Sequence, residues 1–303
     1  MGISEILEFV KVEHTLFSLP FVLIGFVLAD QQFGSDRLDI FWIILAAVGA
    51  RGLAMALNRI VDREIDADNP RTASRHLPSG AMSIESAWIL ASVFLSMLLF
   101  SAWRLNEVAL KMAWLPVLAF AIYPYTKRFS WICHFWIGLC LALAPAGAWV
   151  AIAADDHGWA AITGSLGGGS EFLWFPEIFL ISLGVALWIT TFDINYALMD
   201  VDVDRSQGIH SFPATYGEAA TMKLSVFLTA GWMVSFIMTG IGGREIWVPT
   251  VFLASMINIY IVTNLATRAT ISSGEMENYQ KSLFRGSMIT GWALLGSLVF
   301  IAY

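Results

Sequence analysis

Two groups of acidic residues stand out in an otherwise apolar chain. Asn58, Asp62 and Asp66 lie four residues apart in NRIVDREID, and Asp200 and Asp204 repeat that spacing in DVDVD. Residues at positions i and i+4 lie on one face of a helix, so each pair of carboxylates repels unless a cation lies between them. A carboxylate near hydrocarbon costs roughly 2.5 to 3.5 kcal/mol on insertion scales, so such residues usually mark a site.

The ligand types indicate which cation this is. Hard oxygen ligands without a cysteine or histidine cluster favour Mg²⁺, which takes one or two carboxylates and completes its shell with substrate phosphates. The four aspartates are therefore predicted to bind this cation, and its preference for phosphate oxygens suggests a diphosphate. Cys133 and Cys140, seven residues apart on one hydrophobic segment, are predicted to be core thiols.

Basic residues follow in two loops. DNPRTASRHLPSG carries Arg71 and Arg75, and YPYTKR carries Tyr123, Lys127 and Arg128. The planar fork of arginine matches phosphate oxygens, which favours a diphosphate-binding role. Two other interpretations stay open, namely loop arginines that only set topology and an interfacial anchor with snorkelling cations.

The composition is that of a polytopic membrane protein surrounded by lipid. The chain has 303 residues, 57% hydrophobic and 14% charged, with a mean hydropathy of +0.69. Its net charge of -7 gives no indication of nucleic-acid binding. Nine apolar segments are predicted to be helices, because backbone groups in lipid must be hydrogen-bonded within the segment. They lie near residues 15–32, 40–60, 86–103, 107–124, 131–153, 173–198, 222–241, 246–265 and 286–303.

The distribution of lysine and arginine predicts the orientation. With a cytoplasmic N-terminus, eleven of these residues fall on the cytoplasmic side and four on the other. Both aspartate motifs then lie at the cytoplasmic ends of the second and sixth spans and in the loops after them. We expect the two pairs to face each other across a cavity that opens toward the cytoplasm.

At this point the residues resemble a known family. The run NRIVDREIDADNPRTASRHLPSG (58–80) resembles the first Asp-rich motif of the UbiA superfamily of intramembrane aromatic prenyltransferases. YPYTKR resembles its Y-P-x-x-K-R stretch, and residues 193–217 resemble its second Asp-rich motif. The resemblance spans the chain in the right order, which makes it specific.

The resemblance implies one all-α domain, 1–303, with nine helices around a central cavity in the inner (plasma) membrane. It implies Mg²⁺-dependent transfer of a polyprenyl group from polyprenyl diphosphate to an aromatic acceptor in quinone biosynthesis. Two Mg²⁺ ions on the diphosphate would be held by Asn58, Asp62, Asp66, Asp200 and Asp204. The leaving group would be neutralised by Arg71, Arg75, Lys127 and Arg128, with Tyr123 as a further hydrogen-bond donor.

The identity of the aromatic acceptor stays open. The pattern NR..DR.IDA.NPRTA with DRSQGIHSFP is similar to a branch labelled putative 4-hydroxybenzoate polyprenyltransferase, some members of which serve the futalosine route to menaquinone. The roles of His76 and His210, inside the motif loops, are also open. Asp193, seven residues before Asp200, is predicted to contact and orient the metal ligands without binding the metal itself.

Two other classes of membrane protein also use carboxylates of this kind. A secondary transporter also uses membrane carboxylates for ion or proton coupling, although its acids tend to lie at the midplane in broken helices. A membrane alcohol phosphotransferase also holds metals with aspartates, but the expected D-G-x-x-A-R signature is missing here. The prenyltransferase interpretation ranks first, the transporter second.

Overall fold

The computed structural model describes residues 2–164, 172–271 and 275–303. All regular structure within these residues is helical. The helices are α1 (Ile3–Phe9), α2 (Val12–Phe33), α3 (Asp39–Val61), α4 (Arg63–Asp68), α5 (Ile84–Leu105), α6 (Glu107–Met112), α7 (Trp114–Thr126), α8 (Cys133–His157), α9 (Ala160–Thr163), α10 (Glu177–Tyr196), α11 (Val201–Gln207), α12 (Phe212–Tyr216), α13 (Glu218–Ile237), α14 (Arg244–Tyr260), α15 (Ala266–Ile271) and α16 (Met276–Ala302). A 3₁₀ segment, Ala197–Asp200, joins α10 to α11, and a π-helical segment, Ile261–Leu265, joins α14 to α15.

Nine stretches of the described chain are long and apolar enough to cross a membrane. In order, these spans one to nine are Thr15–Phe33, Asp39–Val61, Ile84–Leu105, Glu107–Thr126, Cys133–His157, Glu177–Gln207, Glu218–Ile237, Glu245–Ala269 and Met276–Ala302. The predicted all-α membrane fold is therefore confirmed. The orientation of the N-terminus stays a prediction.

The sequence places the start of span nine too late. Hydropathy predicts a beginning near residue 286, whereas α16 begins at Met276. The polar first turns of α16 are helical because they bind span six. The Tyr279 hydroxyl donates to Asn195 Oδ1 at 3.0 Å, and the Gln280 amide donates to the Tyr196 hydroxyl. Hydropathy averaged along the sequence does not detect hydrogen bonds between different spans.

The spans pack around one large cavity. One buried cluster joins spans one, five, six, seven, eight and nine, and a second joins α1 with spans two, three and four. Residues of both clusters line the cavity, for example Phe17 and Ile189 of the first and Phe120 of the second. Its volume is about 870 Å³, near the upper end for small-molecule sites.

Spans one and five touch through their backbones. A Cβ atom built on Gly25 of α2 would lie 2.2 Å from the carbonyl oxygen of Pro145 in α8. Only glycine permits this approach, as small residues do at many helix contacts in membranes. The contact fixes the wall of the cavity formed by these two helices.

We therefore expect Gly25→Ala to lower the unfolding temperature of the protein in detergent. The added methyl group meets backbone that cannot rotate away, and such overpacking costs roughly 1 to 3 kcal/mol. Gly296→Ala in α16 is the matched control, since a Cβ there meets nothing within 4 Å. Equal unfolding temperatures for the two variants would contradict the close contact.

Candidate active site

Both aspartate motifs bend at their first aspartate. α3 ends at Val61 and α4 begins at Arg63, so Asp62 forms the junction with φ -92° and ψ 4°. Asp200 forms the junction between the 3₁₀ segment and α11 with φ -110° and ψ 9°. Both residues occupy the sparsely populated bridge region of backbone space. The helical hydrogen bonds nevertheless continue through the first junction, since the Asp62 N–H donates to the Asn58 carbonyl at 2.9 Å and the Asp66 N–H donates to the Asp62 carbonyl at 2.8 Å.

The predicted site residues surround the cavity. Those that line it are Asn58, Asp62, Asp66, Arg71, Arg75, Tyr123, Lys127, Asp193, Asp200 and Asp204. Arg128 does not line it. Its Nη2 instead donates to the Val61 carbonyl at 2.9 Å and lies 3.9 Å from Asp62 Oδ1.

Asp62 is held by a lysine from another loop. Lys127 Nζ lies 2.7 Å from Asp62 Oδ2, and the Asn58 amide donates to the same oxygen at 2.8 Å. Asp62 is only 1% exposed. Burial raises the pKa of this carboxyl, and the charge of Lys127 offsets part of that effect.

Asp66 is held by an arginine of its own loop. Arg75 Nη1 lies 2.7 Å from Oδ1 and 2.8 Å from Oδ2 of this buried carboxylate. The Thr72 hydroxyl donates to the Asp66 carbonyl at 2.9 Å, which turns the loop back over α4. A charge-assisted pair of this kind satisfies both carboxylate oxygens at once.

Arg71 connects the two motifs. Its Nε and Nη2 bind Asp200 Oδ1 and Oδ2 at 2.9 and 2.5 Å, and the Asn69 amide donates to Oδ1 at 3.2 Å. Burial alone would lower the pKa of Arg71, but the bonds to Asp200 outweigh it and raise the pKa above its usual value. The Gln207 amide adds a further link by donating to the Ile65 carbonyl at 3.2 Å.

The donor chemistry of the site fits a hard cation. All the predicted metal ligands carry oxygen and line one cavity, and Asp62 Oδ1 is buried without a hydrogen-bond partner. In the described parts of the chain, however, no three Asp, Glu, His or Cys side chains gather closely enough to form a metal site. Three of the four aspartates among the predicted ligands pair with lysine or arginine.

The remaining predicted residues take other positions. Asp193 does not contact Asp200; its Oδ2 lies 2.6 Å from Nδ1 of His134, a residue that the sequence interpretation treats as structural. His76 lines the cavity and packs edge-to-face on Phe9 at 5.9 Å. His210 is exposed, and its backbone N–H donates to the Lys127 carbonyl at 2.9 Å.

Two arginines of span two are functional candidates that the sequence interpretation missed. Arg51 and Arg59 both line the cavity. Arg59 is 3% exposed and its Nε and Nη1 have no hydrogen-bond partner; Nε of Arg51 is likewise buried and unpartnered. The sequence alone could have indicated them, because burying an arginine within an apolar span costs free energy and such a residue usually marks a pathway or a site.

Known proteins are similar to this chain in sequence. A family model described as the UbiA prenyltransferase family matches residues 18–273. A relative from Vibrio atlanticus, named 4-hydroxybenzoate octaprenyltransferase, is 32% identical over 182 residues, which are 60% of this chain and 57% of the relative. The chain is thus matched over little more than half the length of that relative.

Solved structures give the same fold. A UbiA homologue from Aeropyrum pernix K1 superposes with a TM-score of 0.78 at 29% identity, covering 95% of this chain and 98% of the homologue. A UbiA homologue from Archaeoglobus fulgidus bound to GPP and Mg²⁺ superposes with a TM-score of 0.64 at 18% identity, covering 96% and 99%. The second likeness concerns the fold alone.

The buried pair of Asp62 and Lys127 predicts a stability difference in metal-free protein. Lys127→Met leaves a buried carboxylate without its cation, and breaking such a pair costs roughly 3 kcal/mol or more. Adding Asp62→Asn should restore part of the loss, because the uncompensated charge is gone. Thermal unfolding in detergent with EDTA measures both.

The control for this experiment is Lys111→Met. Lys111 pairs with Glu107, and both side chains are more than half exposed, so the loss should stay below about 1 kcal/mol. Similar losses in the two lysine variants would show that the burial of Asp62 does not govern the stability of the site.

Proposed function

The chain belongs to the UbiA prenyltransferase family, and from this premise we propose that it transfers a polyprenyl group from polyprenyl diphosphate to an aromatic acceptor in quinone biosynthesis. The observation that carries the proposal is the arrangement of four aspartates, three of them paired with lysine or arginine, at one end of a large, mainly apolar cavity. Diphosphate needs cations, and a prenyl chain needs an apolar wall.

Known proteins support both substrates. The Vibrio atlanticus relative is named for prenyl transfer to 4-hydroxybenzoate. The Archaeoglobus fulgidus structure holds GPP and Mg²⁺ in the same fold. We infer a single catalytic unit placed in the inner membrane with its charged end toward the cytoplasm, as the distribution of basic residues predicts.

The metal ions would be held by the oxygen ligands of the two motifs. These are Asn58, Asp62, Asp66, Asp200 and Asp204, all of which line the cavity; two Mg²⁺ ions are proposed. Bound Mg²⁺ supplies positive charge to the oxygen that departs with the diphosphate. The unpartnered Oδ1 of Asp62 is the ligand atom most available in this structure.

The basic residues would exchange partners when the substrate binds. In this structure Arg71, Arg75 and Lys127 neutralise aspartates. Once cations neutralise these carboxylates, the same groups are free to bind phosphate oxygens without moving out of the cavity. Their charge then stabilises the leaving group, and Tyr123 adds a hydroxyl donor whose side chain faces the same cavity.

The apolar wall would hold the prenyl chain. Four alanines of α3 face the cavity between its charged end and the far side of the membrane, namely Ala46, Ala47, Ala50 and Ala54. Their small side chains leave room for a chain, and no polar group on them can donate to a carbocation. A dry wall of this kind protects the allylic cation from water until the acceptor attacks it.

Arg51 would select an acceptor that carries a carboxylate. It lies seven residues before Asn58 on α3, about 10 Å deeper along the helix axis, and its buried Nε has no partner. A guanidinium group in this position binds a carboxylate through two parallel hydrogen bonds. An aromatic carboxylic acid such as 4-hydroxybenzoate supplies that group, and so does the naphthoate type of menaquinone precursor.

The function is tested by prenyl transfer in purified protein with a panel of prenyl diphosphates and 4-hydroxybenzoate. We expect product by mass spectrometry with Mg²⁺ and none with excess EDTA. Asp62→Asn and Asp200→Asn should each lower turnover by roughly 100-fold or more, because charge stabilisation at the leaving group is lost. Asp202→Asn, an exposed residue of the same motif, is the control.

Full turnover in either aspartate variant would contradict the proposal. Ion flux through proteoliposomes without any prenyl transfer would do the same, and it would favour a transporter instead.

The role of Arg51 makes a separate prediction. Arg51→Met should raise KM for the carboxylated acceptor by roughly 10- to 100-fold, since a hydrogen bond to a charged group is worth about 1.5 to 3 kcal/mol. KM for the prenyl diphosphate should stay nearly unchanged. Arg63→Met, on the exposed start of α4, is the matched control. If the variant affects a neutral phenol acceptor as strongly, Arg51 does not bind the carboxylate.

A further inference from the structure

A buried histidine holds an aspartate at the wall of the cavity. His134, at the start of span five, has a side chain only 4% exposed, and its Nδ1 lies 2.6 Å from Asp193 Oδ2. Its other ring nitrogen, Nε2, accepts the backbone N–H of Phe212 at 3.0 Å. Both ring nitrogens therefore have fixed partners on two other segments of the chain.

The contact with Phe212 settles where the protons are. A backbone N–H can only donate, so Nε2 must present its lone pair and the ring proton of the neutral imidazole lies on Nδ1. Nδ1–H then donates to Asp193 Oδ2 at 2.6 Å. His134 thus fixes the direction of the Asp193 side chain.

The second oxygen of Asp193 is available to a ligand. Asp193 lines the cavity, its side chain is 23% exposed, and no residue in the described ranges hydrogen-bonds to Oδ1. Its carboxylate pairs with no lysine or arginine among those residues. Asp62, Asp66 and Asp200 differ in that each has a basic partner.

Asp193 also lies at the depth where the acceptor ring is expected. It precedes Asp200 by seven residues, or about 10 Å along the helix, and Arg51 precedes Asp62 by eleven, or about 16 Å. Tyr123 lines the same cavity as Asp193, Asp62 and Arg51. A ring anchored by its carboxylate at Arg51 would extend from there toward Asp193 and the leaving group.

We propose that Asp193 is the base that removes the ring proton after the prenyl group is attached, and that His134 is the residue that positions it. The inference rests on the proposed function. The prenyl C–O bond to diphosphate breaks, and a ring carbon of the acceptor forms the new C–C bond. The proton on that carbon passes to Asp193 Oδ1 while its C–H electron pair restores aromaticity. Asp193 becomes a neutral acid and returns the proton to water when the product leaves.

The chemistry requires a group of this kind. After attack the ring is a cation that reverts or is trapped unless a base takes its proton, and a dry cavity excludes water from that task. Asp62, Asp66, Asp200 and Asp204 are committed to the charged end of the cavity. Away from that end, Asp193 faces the cavity with an Oδ1 that no residue in the described ranges hydrogen-bonds, and the buried His134 holds its direction.

The test uses Asp193→Asn in the full chain with Mg²⁺, geranyl diphosphate and 4-hydroxybenzoate with and without deuterium on the ring. We expect kcat to fall by roughly 100-fold, and we expect a ring isotope effect near unity in the unsubstituted protein to rise clearly above unity in the variant. Asp193→Glu should recover part of kcat and return the isotope effect toward unity.

A second measurement separates the base from a support of the metal site. The shift in unfolding temperature caused by Mg²⁺ with inorganic diphosphate should be the same in Asp193→Asn as in the unsubstituted protein, and should disappear in Asp62→Asn. Asp202→Asn is the control for both measurements, since it is an exposed acid of the same segment.

Three results would overturn the inference. They are an unchanged isotope effect in Asp193→Asn, a turnover equal to that of Asp202→Asn, and loss of the diphosphate-induced shift. Failure of the unsubstituted protein to transfer any prenyl group is a different result, because it rejects the proposed function itself together with the base that serves it.

Discussion

The charges of this molecule must be neutralised inside an apolar bundle, and this constraint shapes its functional end. Asp62 is 1% exposed and Asp66 is 5% exposed, so neither carboxylate is stable there without a cation. Their partners come from the loops that follow spans two and four, and Arg71 carries the same pairing across to Asp200. Segments distant in sequence are thereby joined at one end of the cavity. A charged substrate that binds at this end of the cavity must compete with the aspartates for the same lysine and arginine side chains.

Much of this architecture could be predicted from composition and spacing. The order of the nine spans follows from hydropathy, because a lipid-exposed backbone has few alternatives to the helix. The association of aspartates with loop arginines follows from charge. The partner of each aspartate does not follow from the sequence: Asp66 takes Arg75 from its own loop, whereas Asp200 takes Arg71 from the other half of the chain. Such choices depend on how the loops fold over one another.

The sequence could not predict the bends at Asp62 and Asp200 or the contacts of His134, for a similar reason. A spacing of four residues indicates a common helix face but not a change of backbone angle at one residue within it. His134 has an undistinguished sequence context, and its contacts with Asp193 and Phe212 form only when α8, α10 and the first residue of α12 meet. The arginines of span two are a different case, since their cost in hydrocarbon was readable from the sequence alone.

The cavity contains two electrostatic regions with different requirements. At the motif end, opposite charges already compensate each other, so a ligand binds there only by exchanging partners with them. Deeper in the bundle, neither Arg51 nor Asp193 forms an ion pair with a lysine, arginine, aspartate or glutamate of the described residues, and Nε of Arg51 is buried without a hydrogen-bond partner. Under the proposed function, a small acceptor with an anionic group at one end would bind Arg51, and its ring carbon would lose a proton to Asp193 once the prenyl group is attached. Recognition of the acceptor would then be separate from activation of the leaving group at the motif end, and the two would meet at the reacting carbon.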